Sequence, residues 1–184
     1  MEFKKREPKI FVLSGKANSG KDTTAEFIDN YVKLKGYKVV NLQFSSYIKM
    51  YAKKISGWDG SEDSKPRTLL QQLGTDIIRN KIDNYLFINR IIEDIKVYSY
   101  YFDVITISDG RLPEELDGIK NAFKKVYRLR VERPDFKSSL NEKELKHKTE
   151  VALNSYDDYE YKIINDGTLE ELNEKAKKIV DEVI

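Results

Sequence analysis

The sequence predicts an α/β protein of three layers, with helices on both faces of a five-stranded parallel sheet. Three observations predict it. Apolar runs alternate with stretches of helical period along the chain, the pattern that repeated strand–helix units leave in a sequence. The first run, residues 9–14, is almost continuously apolar, as a strand covered on both faces must be. It passes through a glycine-containing loop straight into a run of helical spacing, a junction found where a parallel sheet presents a ligand loop.

The elements follow in order. Ala25, Ile28, Tyr31 and Val32 keep helical spacing, so residues 21–35 form a helix that Gly36 ends. Residues 39–44 read as a strand and 46–55 as a helix. Residues 57–66 have loop composition, and Pro66 suits the first turn of the next helix. Leu69, Leu70, Leu73 and Ile77 mark that helix to about residue 79, although Gly74 inside it costs about 1 kcal/mol relative to alanine. A further helix spans 83–98. Residues 104–107 form a strand ending at Ser108-Asp109, 113–123 a short helix, and 126–131 a strand. Residues 133–147 are polar without a core-forming period and read as a mobile loop or a helical lid. Residues 148–153 are helical, 161–164 are the fifth strand, and Thr168 with Glu171 forms a capping box for the last helix. No repeat, low-complexity stretch or linker divides the chain, so residues 1–184 are expected to be one domain.

The loop Gly15-Lys16-Ala17-Asn18-Ser19-Gly20-Lys21-Asp22-Thr23 carries the most chemistry. Its glycines let backbone N–H groups turn inward around an anion. The helix N-terminus adds partial positive charge and Lys21 a full one, so a nucleoside triphosphate is the expected guest. Asp22 stands where such loops usually carry Ser or Thr, and Thr23 comes one residue later. A carboxylate is also a hard ligand for Mg²⁺, directly or through water.

Composition narrows the alternatives. Lys and Arg total 33 against 31 Asp and Glu, a near-balance that argues against a dedicated nucleic-acid binder. The absence of cysteine removes disulfides, thiolate catalysis and cysteine-ligated zinc; the single histidine, His147, rules out a multi-histidine metal site. No apolar run approaches the roughly 18 residues that span a bilayer. The basic start Met1 to Arg6 lacks the features of a signal peptide, so a cytoplasmic location is expected, with no membrane partner. A homodimer is left open. The 12 tyrosines, Tyr98, Tyr100 and Tyr101 among them, read as packing or interface residues.

On these residues the chain resembles the P-loop nucleoside monophosphate kinases, and most of all the bacteriophage-type deoxynucleoside monophosphate kinases. Four segments carry the resemblance: Leu13 to Ala25, with Gly20-Lys21-Asp22-Thr23 as that branch writes it; Leu69 to Asp76; Ile107 to Glu115; and His147 to Glu150 followed by Ile164 to Leu172. Dephosphocoenzyme A kinases and animal phosphomevalonate kinases share parts of the pattern.

The resemblance implies ATP and Mg²⁺ as cofactors and a nucleotide as acceptor substrate. Lys21 would reach the β- and γ-phosphates, and Gly15, Ala17, Asn18, Ser19, Gly20, Asp22, Thr23 and Thr24 would surround them. Asp22, Thr23 and Asp109 would hold the metal, Asp109 from just past a strand's C-terminal end. Arg111 would grip the acceptor phosphate with its fork of donors, or form a surface salt bridge. Ser45, Lys49, Arg67, Gln71 and Gln72, within an acceptor region at 45–82, would face the monophosphate. Arg133 would enter a lid at 133–147, while Arg128 and Arg130 either serve the same end or face solvent from their strand. Asn165, Asp166 and Gly167 would lie against adenine, or simply form a turn. Two other readings fit: a kinase of another phosphorylated metabolite, such as phosphomevalonate or dephosphocoenzyme A, and a nucleotide-dependent switch without transfer. A nucleic-acid end kinase is disfavoured by the net charge of +2.

Overall fold

Strand β1 (Lys9–Ser14) has no polar face to offer water, and it takes the centre of the sheet. Ile10 and Val12 point into one core, Phe11 and Leu13 into the other. Each such side chain, fully buried, contributes about 1.5–3 kcal/mol of transfer free energy. The computed structural model describes residues 3–134 and 148–184. Within them β2 (Val39–Leu42), β3 (Val104–Gly110), β4 (Val126–Glu132) and β5 (Tyr161–Ile164) complete a sheet of order β2-β3-β1-β4-β5. Every neighbouring pair is parallel, as the apolar runs predict.

Helices α1 (Lys21–Leu34) and α7 (Leu169–Val183) cover one face, packing Ala25, Ile28 and Val32 with Leu172, Ala176 and Val180. Helices α4 (Leu86–Tyr98) and α5 (Pro113–Ala122) cover the other through Phe87, Ile91, Ile95, Leu116 and Ile119, beside α2 (Ser45–Ser56). A short α6 (Lys148–Val151) precedes β5. The capping box forms as written: Glu171 N–H donates to Thr168 Oγ1 (3.2 Å), and Thr168 N–H to Glu171 Oε2 (2.9 Å). The chain leaves β1 towards β2 and β3, then crosses back to β4 on β1's other side. The C-terminal end of β1 is therefore the switch point, where open parallel sheets bind ligands.

Three differences from the sequence reading have local causes. Strand β2 ends at Leu42, because Phe44 and Ser45 already give their N–H groups to Asp109 as the start of α2. Strand β3 runs on to Gly110, paired with Ser14 after a register shift. The helix expected to about residue 79 is α-helical only over α3 (Arg67–Gln71) and continues as a π-helix over Gln72–Ile82. A π-helix bonds residues five apart, and Asp83 N–H accordingly donates to the Ile78 carbonyl. The buried stripe therefore runs from Leu73 to Ile78, and Ile77, which marks the α-helical spacing in the sequence, is 41% exposed. Of the tyrosine cluster, Tyr98 and Tyr101 lie edge-on to Phe102, as expected for packing residues, while Tyr100 is exposed.

A polar thread crosses the α1 face. Asn41 Nδ2 donates to Thr106 Oγ1 (2.9 Å), which donates to Asp29 Oδ1 of α1 (2.8 Å). Burial pushes the Asp29 carboxyl from 3.8 up to about 6, against the pull of Thr106 and Lys33. The folded chain therefore holds this proton more tightly than the unfolded chain. The resulting stabilisation is full below pH 3.8 and is lost as pH rises through about 6. Asp29→Asn keeps an acceptor for Thr106 and removes the charge. Urea unfolding is expected to show equal stability at pH 4 and a gain of about 1–2 kcal/mol for the variant at pH 8, allowing for partial exposure. Parallel stability profiles across this range would refute the assignment.

Candidate functional site

The loop after β1 is shaped by what lies beneath it. A Cβ on Gly15 would sit 2.5 Å from the Val131 carbonyl oxygen of β4 and 2.4 Å from Ser19 Oγ, so only glycine lets the loop pass the strand end. Asn18 and Gly20 take positive φ, 60° and 96°. Alternating backbone handedness of this kind turns successive N–H groups towards one concave side and makes an anion nest. Asn165 Nδ2, from the turn after β5, donates to the Ser19 carbonyl (2.9 Å) and fixes the loop from outside. Lys21, the first residue of α1, is only 4% exposed, and its Nζ lies 3.3 Å from Asp22 Oδ2. That long contact to an exposed carboxylate is weak compensation for a buried ammonium.

Two cavities flank the loop. One, of about 500 Å³, opens between Lys21, Ser45, Lys49, Arg67, Gln71, Asp109 and Arg111. The other, of about 490 Å³, is walled by Asn18, Gly20, Thr23, Arg133, Asn165 and Gly167. Asp22 lines both. The first carries six cationic side chains to four carboxylates; Glu62 is held by Lys65 (2.8 Å) and Asp22 meets Lys21, while the other two carboxylates tie neighbouring elements together. Asp109 Oδ1 accepts from Phe44 N–H (2.8 Å) and Oδ2 from Ser45 N–H (2.9 Å), capping α2 where the helix dipole favours negative charge. Glu115 Oε1 accepts from Arg79 Nη2 (2.7 Å), while Oε2 accepts from the N–H groups of Arg111 (2.9 Å) and Leu112 (3.1 Å). Burial pushes the Glu115 carboxyl upward, opposed by Arg79 and the Arg111 N–H.

Arg128 and Arg130 do not face solvent: both are buried, because the stretch Tyr156 to Glu160 folds over that end of β4. Arg128 donates to Asp117 (2.9 Å), Tyr156 (2.6 Å) and Glu160 (3.1 Å), and pairs with Asp158 (2.9 Å). Against the upward push of burial, Arg128 and Lys120 hold the Glu160 carboxyl down to about 2. This closed network anchors the return from α6 to β5. Arg130 lies near the Tyr159 ring and 3.3 Å from Glu132 Oε1.

Among the described residues no three His, Cys, Asp or Glu side chains gather into a metal cage. Magnesium in phosphate chemistry is commonly held by one or two carboxylates together with substrate phosphates. Asp22 and Asp109 on the cavity walls, with the hydroxyl of Thr23 next to Asp22 in sequence, fit that mode. No helix among the described residues is long and apolar enough to cross a membrane.

Residues 43–176 match the family model for deoxynucleotide monophosphate kinase. The chain belongs to that family. A protein of Acanthamoeba polyphaga mimivirus described as "Putative deoxynucleotide monophosphate kinase" is 30% identical over 125 residues, covering 63% of this chain and 61% of the relative's length. Among solved structures, the fold is shared with a sugar kinase of Janibacter sp. (TM-score 0.59, 14% identity, 95% of each chain). It is also shared with an APS kinase of Mycobacterium tuberculosis in complex with AMPPNP and APS (TM-score 0.53, 10% identity, 96% of this chain and 97% of that one).

For this family member, the structure brings most residues expected from sequence to one of the two cavities. Ala17 joins Lys21 and the acceptor residues in the first, and Arg133 joins Asn165 and Gly167 in the second. Gly15, Ser19, Thr24, Gln72 and Asp166 line neither: Gly15 and Ser19 shape the loop, Thr24 Oγ1 bonds back to the Gly20 carbonyl (2.8 Å), Gln72 is exposed, and Asp166 pairs with Lys175 (2.8 Å). The expected lid at 133–147 and His147 lie outside the described residues beyond Pro134. The sequence reading did not pick out Gln43, Lys65, Arg79 or Glu115, which also line the first cavity. Glu115 had a signal: it stands two residues after Pro113 at a helix start, the position from which a carboxylate reaches back to the N-cap N–H.

A paired substitution tests the loop's steric basis. Gly15→Ala is expected to weaken binding of a fluorescent ATP analogue by at least about tenfold, or 1.4 kcal/mol. Gly36→Ala, with positive φ but nothing within 4 Å of the added carbon, is expected to cost about 1–2 kcal/mol of stability with affinity unchanged. Equal affinities for both variants would remove the argument from Val131.

Proposed function

We propose that this chain transfers the γ-phosphate of ATP to the phosphate of a deoxynucleoside monophosphate, giving the diphosphate and ADP, with Mg²⁺ as the metal. The observation that carries this reading is the pair of cavities meeting at Asp22 on either side of the phosphate loop. A nucleotide switch needs one cavity. A second, with six cationic side chains against four carboxylates on its walls, suits a second phosphorylated guest, and family membership supports a nucleotide as that guest.

In this reading ATP lies on the loop with its base towards Asn165 and Gly167, and the acceptor region at 45–82 receives the monophosphate. Ser45, Lys49, Arg67 and Gln71 line its cavity, and Arg111 grips its phosphate. An acceptor phosphate oxygen attacks the γ-phosphorus in line with the oxygen bridging to the β-phosphate; the new bond forms as the bridge breaks, and ADP leaves. The nucleophile is already anionic, so no strong base is required. Lys21 and Arg111 bring the two phosphates together against their mutual repulsion. Asp22, Asp109 and the Thr23 hydroxyl would hold Mg²⁺, whose charge offsets that on the phosphates. Arg133 stands where a lid at 133–147 would begin, and closure there would keep water from the γ-phosphate. The reading includes a cytoplasmic enzyme acting on free nucleotides, and the balance of 33 basic and 31 acidic residues is consistent with small substrates over nucleic acid.

The test is ADP release with Mg²⁺ and ATP across ribo- and deoxynucleoside monophosphates, with phosphomevalonate and dephosphocoenzyme A alongside. Turnover is expected to require one or a few deoxynucleotides and to yield their diphosphates. Lys21→Ala is expected to lose at least about 10²-fold in kcat. Turnover confined to the other metabolites would replace the acceptor assignment. ATP binding without any acceptor-dependent turnover would favour the switch.

A further inference from the structure

Arg79 and Glu115 are the most deeply buried ion pair beside the acceptor cavity, with side chains 8% and 3% exposed. They come from opposite walls. Arg79 belongs to the π-helix, Glu115 to the first turn of α5. The Arg79 guanidinium lies 5.0 Å from the Phe87 ring centre and spends both terminal nitrogens on fixed acceptors: Nη2 on Glu115 Oε1 (2.7 Å), Nη1 on the Gly74 carbonyl (3.0 Å). Glu115 uses its other oxygen to hold the backbone N–H groups of Arg111 and Leu112. A continuous chain of hydrogen bonds thus runs from the carbonyl of Gly74, on one cavity wall, to the backbone of Arg111, on the other.

The unusual helix register belongs to the same arrangement. Gly74 and Arg79 are five residues apart, and a π-helix brings such residues into line along its axis. Gly74 also lets α2 approach this helix closely: an added Cβ would lie 3.1 Å from Ile48 Cδ1 of α2, but at an ordinary contact distance, 3.5 Å, from Arg79 Nη1. An α-helical register would move Arg79 around the axis, away from its own carbonyl partner. A buried ion pair is a poor source of net stability, since apolar residues of similar size commonly do as well. What it supplies here is a fixed spacing between two walls.

We propose that Arg79 and Glu115 are positioning residues for the acceptor, a clasp that sets the distance between the Arg111 turn and the π-helical wall. The inference rests on the reading of this cavity as the acceptor's. The clasp acts through the Arg111 backbone and through the wall carrying Gln71 and Thr75, not by touching the transferred group.

Glu115→Gln and the milder Arg79→Lys test it. Glutamine has one acceptor oxygen where glutamate has two, so it can serve the guanidinium or the Arg111 and Leu112 N–H groups but not both, and lysine keeps the charge but loses the planar fork. Steady-state kinetics with dAMP, dCMP, dGMP and dTMP would be run beside hydrogen–deuterium exchange of the free protein. In Glu115→Gln the acceptor KM is expected to rise at least about tenfold while the ATP KM stays within about twofold, and Arg79→Lys should fall between that variant and wild type. Exchange should quicken over Gln72–Ile82 and at Arg111 and Leu112, with α1 unchanged. Acceptor and ATP KM rising together, or neither changing in a cooperatively folded variant, would overturn the clasp. If Glu115→Gln does not fold, Arg79→Lys decides by the same criteria. A wild-type protein that turns over none of the four monophosphates would sink the acceptor reading by itself. The exchange pattern would then decide the mechanical link: local quickening supports it, unaltered exchange overturns it.

Discussion

Asp109 accepts with both carboxylate oxygens from the first N–H groups of α2, and that contact ties the α2 wall of the first cavity to the sheet. The carboxylate ends a buried central strand, so its position is set by the sheet. The helix it caps, the loop beyond and the π-helical wall all take their bearings from it. Electrostatics favours the arrangement at both ends, because orphan N–H groups are satisfied and the helix dipole stabilises the charge. The carboxylate keeps further lone pairs, so capping α2 and facing a metal on the cavity side are compatible tasks.

Three deeply buried cations show how pairing divides labour. Arg128 is surrounded by Asp117, Asp158 and Glu160, and nothing in that network asks for a ligand. Arg79 has one carboxylate and one carbonyl, both on elements it must hold together. Lys21 is met by one exposed carboxylate at 3.3 Å. A buried charge is costly in proportion to how poorly it is compensated. The least compensated of the three is the one that sits under the phosphate loop, where a polyanion would complete its pairing.

The sheet, the phosphate loop and the final capping box were legible because their signals are local: continuous apolar runs, glycines at fixed spacing, Thr168 three residues before Glu171. The π-helix was not. Leu69, Leu73 and Ile77 fit an α-helical stripe, and the register that buries Ile78 instead involves partners elsewhere in the chain, Ile48 against Gly74 and Glu115 against Arg79. Arg128 was ambiguous for the same reason. Alternation along β4 shows that it shares a side of the strand with Arg130, but the carboxylates that enclose it lie up to 32 residues away. Of the first cavity, Lys21, Lys49, Arg67 and Arg111 were legible as types, while Lys65, Arg79 and the contacts that fix their spacing were not.

The hydrogen bond from Asn165 to the Ser19 carbonyl joins residues 146 apart in sequence. Gly15 likewise rests against Val131, which belongs to a strand laid down more than half a chain later. The motif that announces itself earliest is thus completed by a segment synthesised 146 residues after it. Contacts of such separation carry a large loop-closure cost and form late. A nascent chain that has made its first strand and helix owns the glycines and the lysine but lacks the scaffold that curves them. Nucleotide affinity in this fold is therefore a property of the finished sheet, and occupancy of the loop rewards only chains whose final strand has docked.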